Sequence, residues 1–267
     1  MKYTLSLLTF NTMDMPLASK KHGERVAALV RELSMVGADV VCLQEVWTSK
    51  TKKKLIHAMQ EAGYAYYAMA SNKPRFCGLI TFSKHRIVSS SYVSLKPVFN
   101  GLNSSLWELP FDKGYLITQI DIKGETIDIY NIHQIADFTG KYKKGSSEGS
   151  VALNALEKIG KSITNTDERK SIACGDFNME PESWLYKVFV ETTGVNNLLP
   201  LNVRTAIGNL FCTLLTNITY EGYRVDYVFT KNIDAKAVQS AKAMWADPVP
   251  DCGLLSDHAG IFVELCV

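Results

Sequence analysis

The stretch SIACGDFNMEP (residues 171–181) reads as an apolar strand that stops abruptly on polar residues, with Asp176 and Asn178 following SIACG. A short apolar run bounded by turn residues is the pattern of a buried strand. The same arrangement recurs along the chain. Asn11 follows SLLTF, Glu45 follows VVCLQ, His133 follows IDIYNI, Asp226 lies in RVDYVF, and Asp257 and His258 precede AGIFVEL. Each alone has an ordinary structural reading: an Asn or Asp at a strand end serves a turn or a cap. Together they place several polar strand ends on one rim, where loops commonly carry function. The inventory is carboxylates, side-chain amides and two histidines, with no cysteine. Hard oxygen donors of this kind suit Mg²⁺, Mn²⁺ or Ca²⁺ better than zinc. A metal beside a histidine base suits hydrolysis of a phosphate ester.

Working outward, strands are predicted over 3–10, 38–46, 78–83, 87–95, 114–122, 125–133, 171–178, 224–230 and 259–265, and helices over 22–36, 50–62 and 149–164. Many strands with helices interspersed imply packed layers of sheet and helix. Residues 96–113 and 134–148 are turn-rich and read as surface loops. The lysines at 50, 52, 53 and 54 read as a solvated helix face. There is no repeat, no linker and no compositional break, so residues 1–267 are expected to form a single domain.

Composition narrows the class. Hydrophobic residues are 46% and charged residues 21% of the 267, and mean hydropathy is -0.02. That is the balance of an ordinary globular chain, neither disordered nor membrane-embedded. The formal charge of +2 argues against a protein held on nucleic acid by bulk charge. The six cysteines at 42, 77, 174, 212, 252 and 266 have no CxxC spacing. They read as free thiols of a reducing compartment. The start, MKYTLSLLTFN, reads as a first strand rather than a signal peptide. The expectation is a cytoplasmic monomer, or one bound peripherally to a membrane.

TFN at residue 9, LQEVW at 43, NIH at 131, GDFNMEP at 175, RVDYVF at 224 and LSDHAGIFVEL at 255 occur in the order found in the endonuclease/exonuclease/phosphatase superfamily. The sequence resembles that superfamily over nearly its whole length. The resemblance implies an α+β, DNase I-like fold, a four-layer α/β/β/α sandwich of two packed mixed sheets flanked by helices. It also implies roles. Glu45 is the central metal ligand, assisted by Asn11, with Asp257 contributing. Asp176 and Asn178 face the phosphate. His258 is the general base, Asp226 fixes its tautomer, and His133 binds the phosphate. Mg²⁺ is the implied cofactor, with Mn²⁺ or Ca²⁺ as alternatives.

Within the superfamily the chain is most similar to the neutral sphingomyelinase branch. The matching stretches are FNTMDMPLASKKHGERV, GLITFSKHRI (78–87) and FDKGYLITQI (111–120), which holds Lys113. The implied reaction is cleavage of a phospholipid, sphingomyelin, to ceramide and phosphocholine. Nuclease action on nucleic acid and inositol-phosphate phosphatase action are the alternatives on the same fold. A catalytically silent binding protein is the alternative from another class. Where the branch reads THL, this chain has NIHQ: Asn131 replaces Thr and Gln134 replaces Leu, which suggests a head-group site tuned differently. Trp107 and Trp245 lie in aromatic loop stretches. These either dock on a membrane interface or pack on the sheet edge and wall the pocket.

Overall fold

Alternation in β1 (Thr4–Asn11) sorts its side chains onto two faces. Leu5 and Leu7 enter one apolar cluster, and Leu8 and Phe10 another. The same division runs through β2 (Val40–Gln44), β7 (Glu125–His133), β8 (Ser171–Asp176) and β10 (Asp226–Lys231). Val40 and Cys42 of β2 meet Ile127 and Ile129 of β7, Ile172 and Cys174 of β8, and Val228 of β10 in one central cluster. Strands apolar on both sides in this way must be covered on both sides.

The computed structural model describes residues 3–16, 21–70, 77–95, 111–135, 143–166, 168–208 and 222–267. The remaining strands are β3 (Tyr66–Met69), β4 (Ile80–Ser83), β5 (Ile87–Ser94), β6 (Gly114–Ile122), β9 (Asn196–Asn197), β11 (Val238–Met244) and β12 (Gly260–Cys266). They form two six-stranded sheets, ordered β11-β12-β1-β2-β4-β3 and β5-β6-β7-β8-β10-β9. Each sheet is antiparallel except for one central parallel pair, β1 with β2 in the first and β7 with β8 in the second. The two sheets pack face to face through the central cluster.

Helices cover the outer faces. Leu29 and Leu33 of α1 (His22–Met35) and Leu55 and Met59 of α2 (Ser49–Glu61) pack on the first sheet. Leu156 and Ile159 of α3 (Ser147–Thr164) and Leu185 and Phe189 of α4 (Trp184–Thr193) pack on the second. The result is the expected α/β/β/α sandwich. Thr48, Ser146 and Ser183 cap three of these helices, each accepting from a main-chain N–H one turn on.

Three strands, β3, β9 and β11, and the helix α4 go beyond the sequence expectation. The segment WLYKVFVETT is nearly continuous in apolar and β-branched residues, so periodicity does not separate strand from helix there. The Ser183 cap and Gly194 in the left-handed conformation (φ 63°) bound it as a helix. Among the described residues five cysteines are free: Cys42, Cys77, Cys174, Cys252 and Cys266. Cys212 and Trp107 lie outside the described residues. Among the described residues no helix is long and apolar enough to cross a membrane.

Candidate active site

The faces that pack the central core turn polar at one end of the sandwich. In β1 the run Leu5, Leu7 continues to Thr9 and Asn11. In β7 the run Ile127, Ile129 continues to Asn131 and His133, and in β8 the run Ile172, Cys174 continues to Asp176. Strand pairing then gathers them. His133 is opposite Asp176, and Asp176 is opposite Asp226. The polar positions thus share a face with the core, and the sheet registers bring them together.

Asn11 is the hub. Its Oδ1 accepts the Met13 N–H at 3.1 Å, which turns Nδ2 toward the carboxylates. Nδ2 donates to Glu45 Oε1 at 2.9 Å and to Asp176 Oδ2 at 3.0 Å. Glu45 sits just beyond β2 with φ 57°, a conformation costly for a residue with a Cβ. Trp47 Nε1 holds its other oxygen at 3.3 Å. Gly78 makes room for this turn, since a Cβ there meets the Trp47 ring at 2.8 Å and Glu45 Cα at 2.9 Å. Asp14 fastens the adjoining loop. Its buried carboxylate accepts from Thr48 N at 2.8 Å and Thr51 Oγ1 at 2.9 Å, and a ring nitrogen of His22 lies 2.7 Å away.

Asp176 is fully enclosed. Burial first, then the neighbouring Asp226, pushes its pKa up to about 7, against the opposing pull of His258 and Lys113. The Asn178 N–H donates to its Oδ1 at 2.9 Å, and Asn178 Nδ2 donates to the Gln134 carbonyl at 2.9 Å. Gly175, at φ 128°, lets β8 approach β7 here, because a Cβ there falls 2.1 Å from the Ile132 carbonyl oxygen. His133 is buried, with Nε2 3.5 Å from Glu45 Oε1 and 3.8 Å from Asp176 Oδ2. Burial, with Lys113 and His258 adding positive field, drives its pKa well down. Both favour the uncharged ring, and among the described residues Nε2 has no hydrogen-bond partner.

His258 Nδ1 lies 2.8 Å from Asp226 Oδ2. Burial works against charging this imidazole. The Asp226 charge and hydrogen bond, helped by Asp176 and Asp257, outweigh burial and raise its pKa well above the usual value. Thr205 joins the two elements. Its hydroxyl accepts the N–H groups of Val225 and Asp226 at 3.1 and 3.0 Å, and its carbonyl accepts the Ala259 N–H at 2.6 Å. Ser256 Oγ donates to the Asn11 carbonyl at 2.7 Å and lies 3.3 Å from Asp257 Oδ1. Burial foremost raises the pKa of Asp257.

The ligand atoms of Glu45, His133 and Asp176 all lie within 4.8 Å of one another, as do those of Asp176, Asp226 and His258. Hard oxygens crowded together, one carboxyl raised to near neutrality and an unpartnered imidazole nitrogen suit a divalent cation. Asn11 adjoins the first group. Asp257 belongs to neither and reaches the site through Ser256. Lys113 lies close enough to act electrostatically on both His133 and Asp176. Trp245 packs against Phe10, with ring centroids 5.1 Å apart. The aromatic pair beside the site is instead Trp47 and Phe111, 4.6 Å apart, with Trp47 5.9 Å from the His133 ring. Asn131 faces inward between the sheets. Its Nδ2 donates to the carbonyls of Leu43 and Ile80 at 3.1 and 3.0 Å, and its Oδ1 accepts Gln44 Nε2 at 2.8 Å. Thr205 and Gln44 carry no sequence signal for these roles.

The fold is a DNase I-like sandwich, and this carboxylate–histidine cluster has the donor set of a divalent-metal site. The chain belongs to the Endonuclease/Exonuclease/phosphatase family, whose profile matches residues 8–258. It is 25% identical over 192 residues to the putative neutral sphingomyelinase of Drosophila melanogaster, covering 71% of this chain and 42% of that protein. It is 26% identical over 299 aligned positions to the inositol phosphosphingolipids phospholipase C of Schizosaccharomyces pombe (strain 972 / ATCC 24843), covering 98% of this chain and 68% of that protein. The chain thus spans less than half of the first relative and about two thirds of the second. In structure it resembles a Staphylococcus aureus beta toxin mutant with bound magnesium ions, at a TM-score of 0.72 and 15% identity over 98% of this chain and all of that one (100%). At that identity the likeness speaks for the fold.

Proposed function

We propose that the chain is a Mg²⁺-dependent phosphodiesterase acting on a phosphosphingolipid, with sphingomyelin as substrate and ceramide and phosphocholine as products. The observation that carries the reading is the His258–Asp226 pair, 2.8 Å apart, sharing Asp176 as neighbour with the Asn11–Glu45 pair. In this reading His258 is the base, its tautomer held by Asp226, beside the oxygens that would hold the metal. The lipid substrate is supported by the names of the two relatives, both hydrolases of phosphosphingolipids by description.

Glu45, with Asn11 holding it and His133 and Asp176 alongside, would bind the cation. When bound, the cation supplies neutralisation of the phosphoryl oxygens. The chain's own residues do the rest. Asp226 accepts a hydrogen bond from the Nδ1–H of His258, and Nε2, when unprotonated, takes the proton of the attacking water. As the water oxygen bonds to phosphorus, the P–O bond to ceramide breaks, and the ceramide alkoxide leaves and takes up a proton. Asp226 stabilises the imidazolium so formed. Lys113, whose charge is felt at both His133 and Asp176, would offset the negative charge that builds on the phosphate, with His133 beside it. Peripheral contact with a bilayer follows from the substrate.

The test is Mg²⁺-dependent release of phosphocholine from sphingomyelin-containing liposomes, with plasmid DNA cleavage measured in the same buffer. Phosphocholine release without nicking is expected. Nicking without lipid turnover would overturn the lipid reading and return the chain to the nuclease alternative.

A further inference from the structure

Arg25 occupies the buried stripe of α1, one turn ahead of Leu29 and two ahead of Leu33. Only 2% of the residue is exposed. Its guanidinium donates to three main-chain carbonyls, those of Thr12 at 2.7 Å, Met13 at 2.5 Å and Leu255 at 2.8 Å. None of these partners is a carboxylate, and among the described residues Nε has no hydrogen-bond partner. A cation taken out of water without a paired anion is costly, and an apolar side chain of similar volume would serve packing better. The position therefore calls for a reason beyond apolar packing.

The three carbonyls supply one. Thr12 and Met13 directly follow Asn11, and Leu255 directly precedes Ser256, Asp257 and His258. The β1–β12 ladder ends at the Thr9–Ile261 pair, so Asn11 and His258 both lie past its last rung. There the sheet no longer fixes their separation. The planar guanidinium spans the gap with donors in a fixed fork, a geometry that lysine cannot reproduce. Its charge also lies in the field of Asp257, Asp14 and Glu45, and so offsets part of the repulsion among the acidic groups.

We propose that Arg25 is a positioning residue of this site, clamping the Asn11 loop to the Asp257–His258 loop and so setting the distance between the metal-binding end and the base. The catalytic arm of its test rests on the phosphodiesterase reading above, and the metal-binding arm does not.

The experiment compares the full chain with Arg25→Met and Arg25→Lys. Mn²⁺ affinity is measured by calorimetry, kcat and KM on bis(4-nitrophenyl) phosphate at saturating Mg²⁺, and thermal midpoint without metal. Loss of a residue that orients metal ligands is expected to cost about 10–100-fold in metal affinity or kcat, with KM unchanged. Arg25→Lys is expected to fall between wild type and Arg25→Met, because it keeps the charge but not the fork. Folded variants with wild-type Mn²⁺ affinity and kcat would overturn the proposal, as would a loss confined to KM. If Arg25→Met does not fold, Arg25→Lys decides by the same two readings. If the wild type turns over no phosphodiester, the functional reading fails while the Mn²⁺ comparison still decides the role of Arg25.

Discussion

Gln134→Leu is expected to make this protein more stable. Gln134 is fully buried, at 0% exposure, and among the described residues neither Nε2 nor Oε1 of its side chain has a hydrogen-bond partner. Its main chain is fully used: the N–H donates to the Asp176 carbonyl at 2.8 Å, and the carbonyl accepts Asn178 Nδ2 at 2.9 Å. The substitution removes the unpaired amide and leaves both main-chain bonds in place. Burying an amide without a partner costs about 1–3 kcal/mol by mutational measures. Leucine has nearly the same volume and loses less rotamer freedom on burial. A gain of about 1–3 kcal/mol corresponds to a rise of roughly 2–4 °C in thermal midpoint per kcal/mol for a chain of this size. Urea unfolding followed by circular dichroism measures it, with the midpoint moving up at constant slope. Hydrolysis of a soluble phosphodiester is expected to persist, since Asn178 keeps its anchor. An unchanged or lowered midpoint would refute the reasoning, for it would mean that the amide is satisfied in the folded protein.

Asn131→Leu is the converse, because it strips partners from Gln44 and from the Leu43 and Ile80 carbonyls. A loss of about 2–4 kcal/mol is expected in the same urea assay. His258→Asn should lower kcat by about 10²–10⁴-fold while leaving the thermal midpoint near that of wild type; an unaltered rate would remove His258 as the base. Saturating Mg²⁺ at about 100 times its Kd should stabilise the chain by about 2.7 kcal/mol. Differential scanning fluorimetry should register this as an upward midpoint shift that Glu45→Gln abolishes, and an equal shift in that variant would place the cation elsewhere.

Much of the candidate site was legible because its polar residues interrupt apolar strands. Asp176, His133 and Asn11 each end a run whose alternation a reader can follow, and their motifs stand in family order. The family profile over residues 8–258 agrees with that resemblance. Arg25 was not legible, since a charged residue on an apolar helical stripe looks like an interruption of the pattern. Thr205 was not, because a lone threonine in a loop carries no periodicity. The departures at 131 and 134 read in sequence as changes to a head-group site. In the fold Asn131 is a polar bridge between the sheets, and Gln134 is a buried amide beside the site.

The sequence by itself determined the strands that bear the chemistry, the hard-donor character of the site and the layered class of the fold. Those are properties of short stretches, where burial and alternation act on neighbouring residues. Only the tertiary structure decided which polar atoms meet. The Asn11 contacts with Glu45 and Asp176, the orientation of His258 by Asp226, and the Arg25 bridge from Met13 to Leu255 join residues far apart in the chain. Such distances follow from sheet register and loop closure, which depend on the packing of the whole sandwich and on no single segment within it.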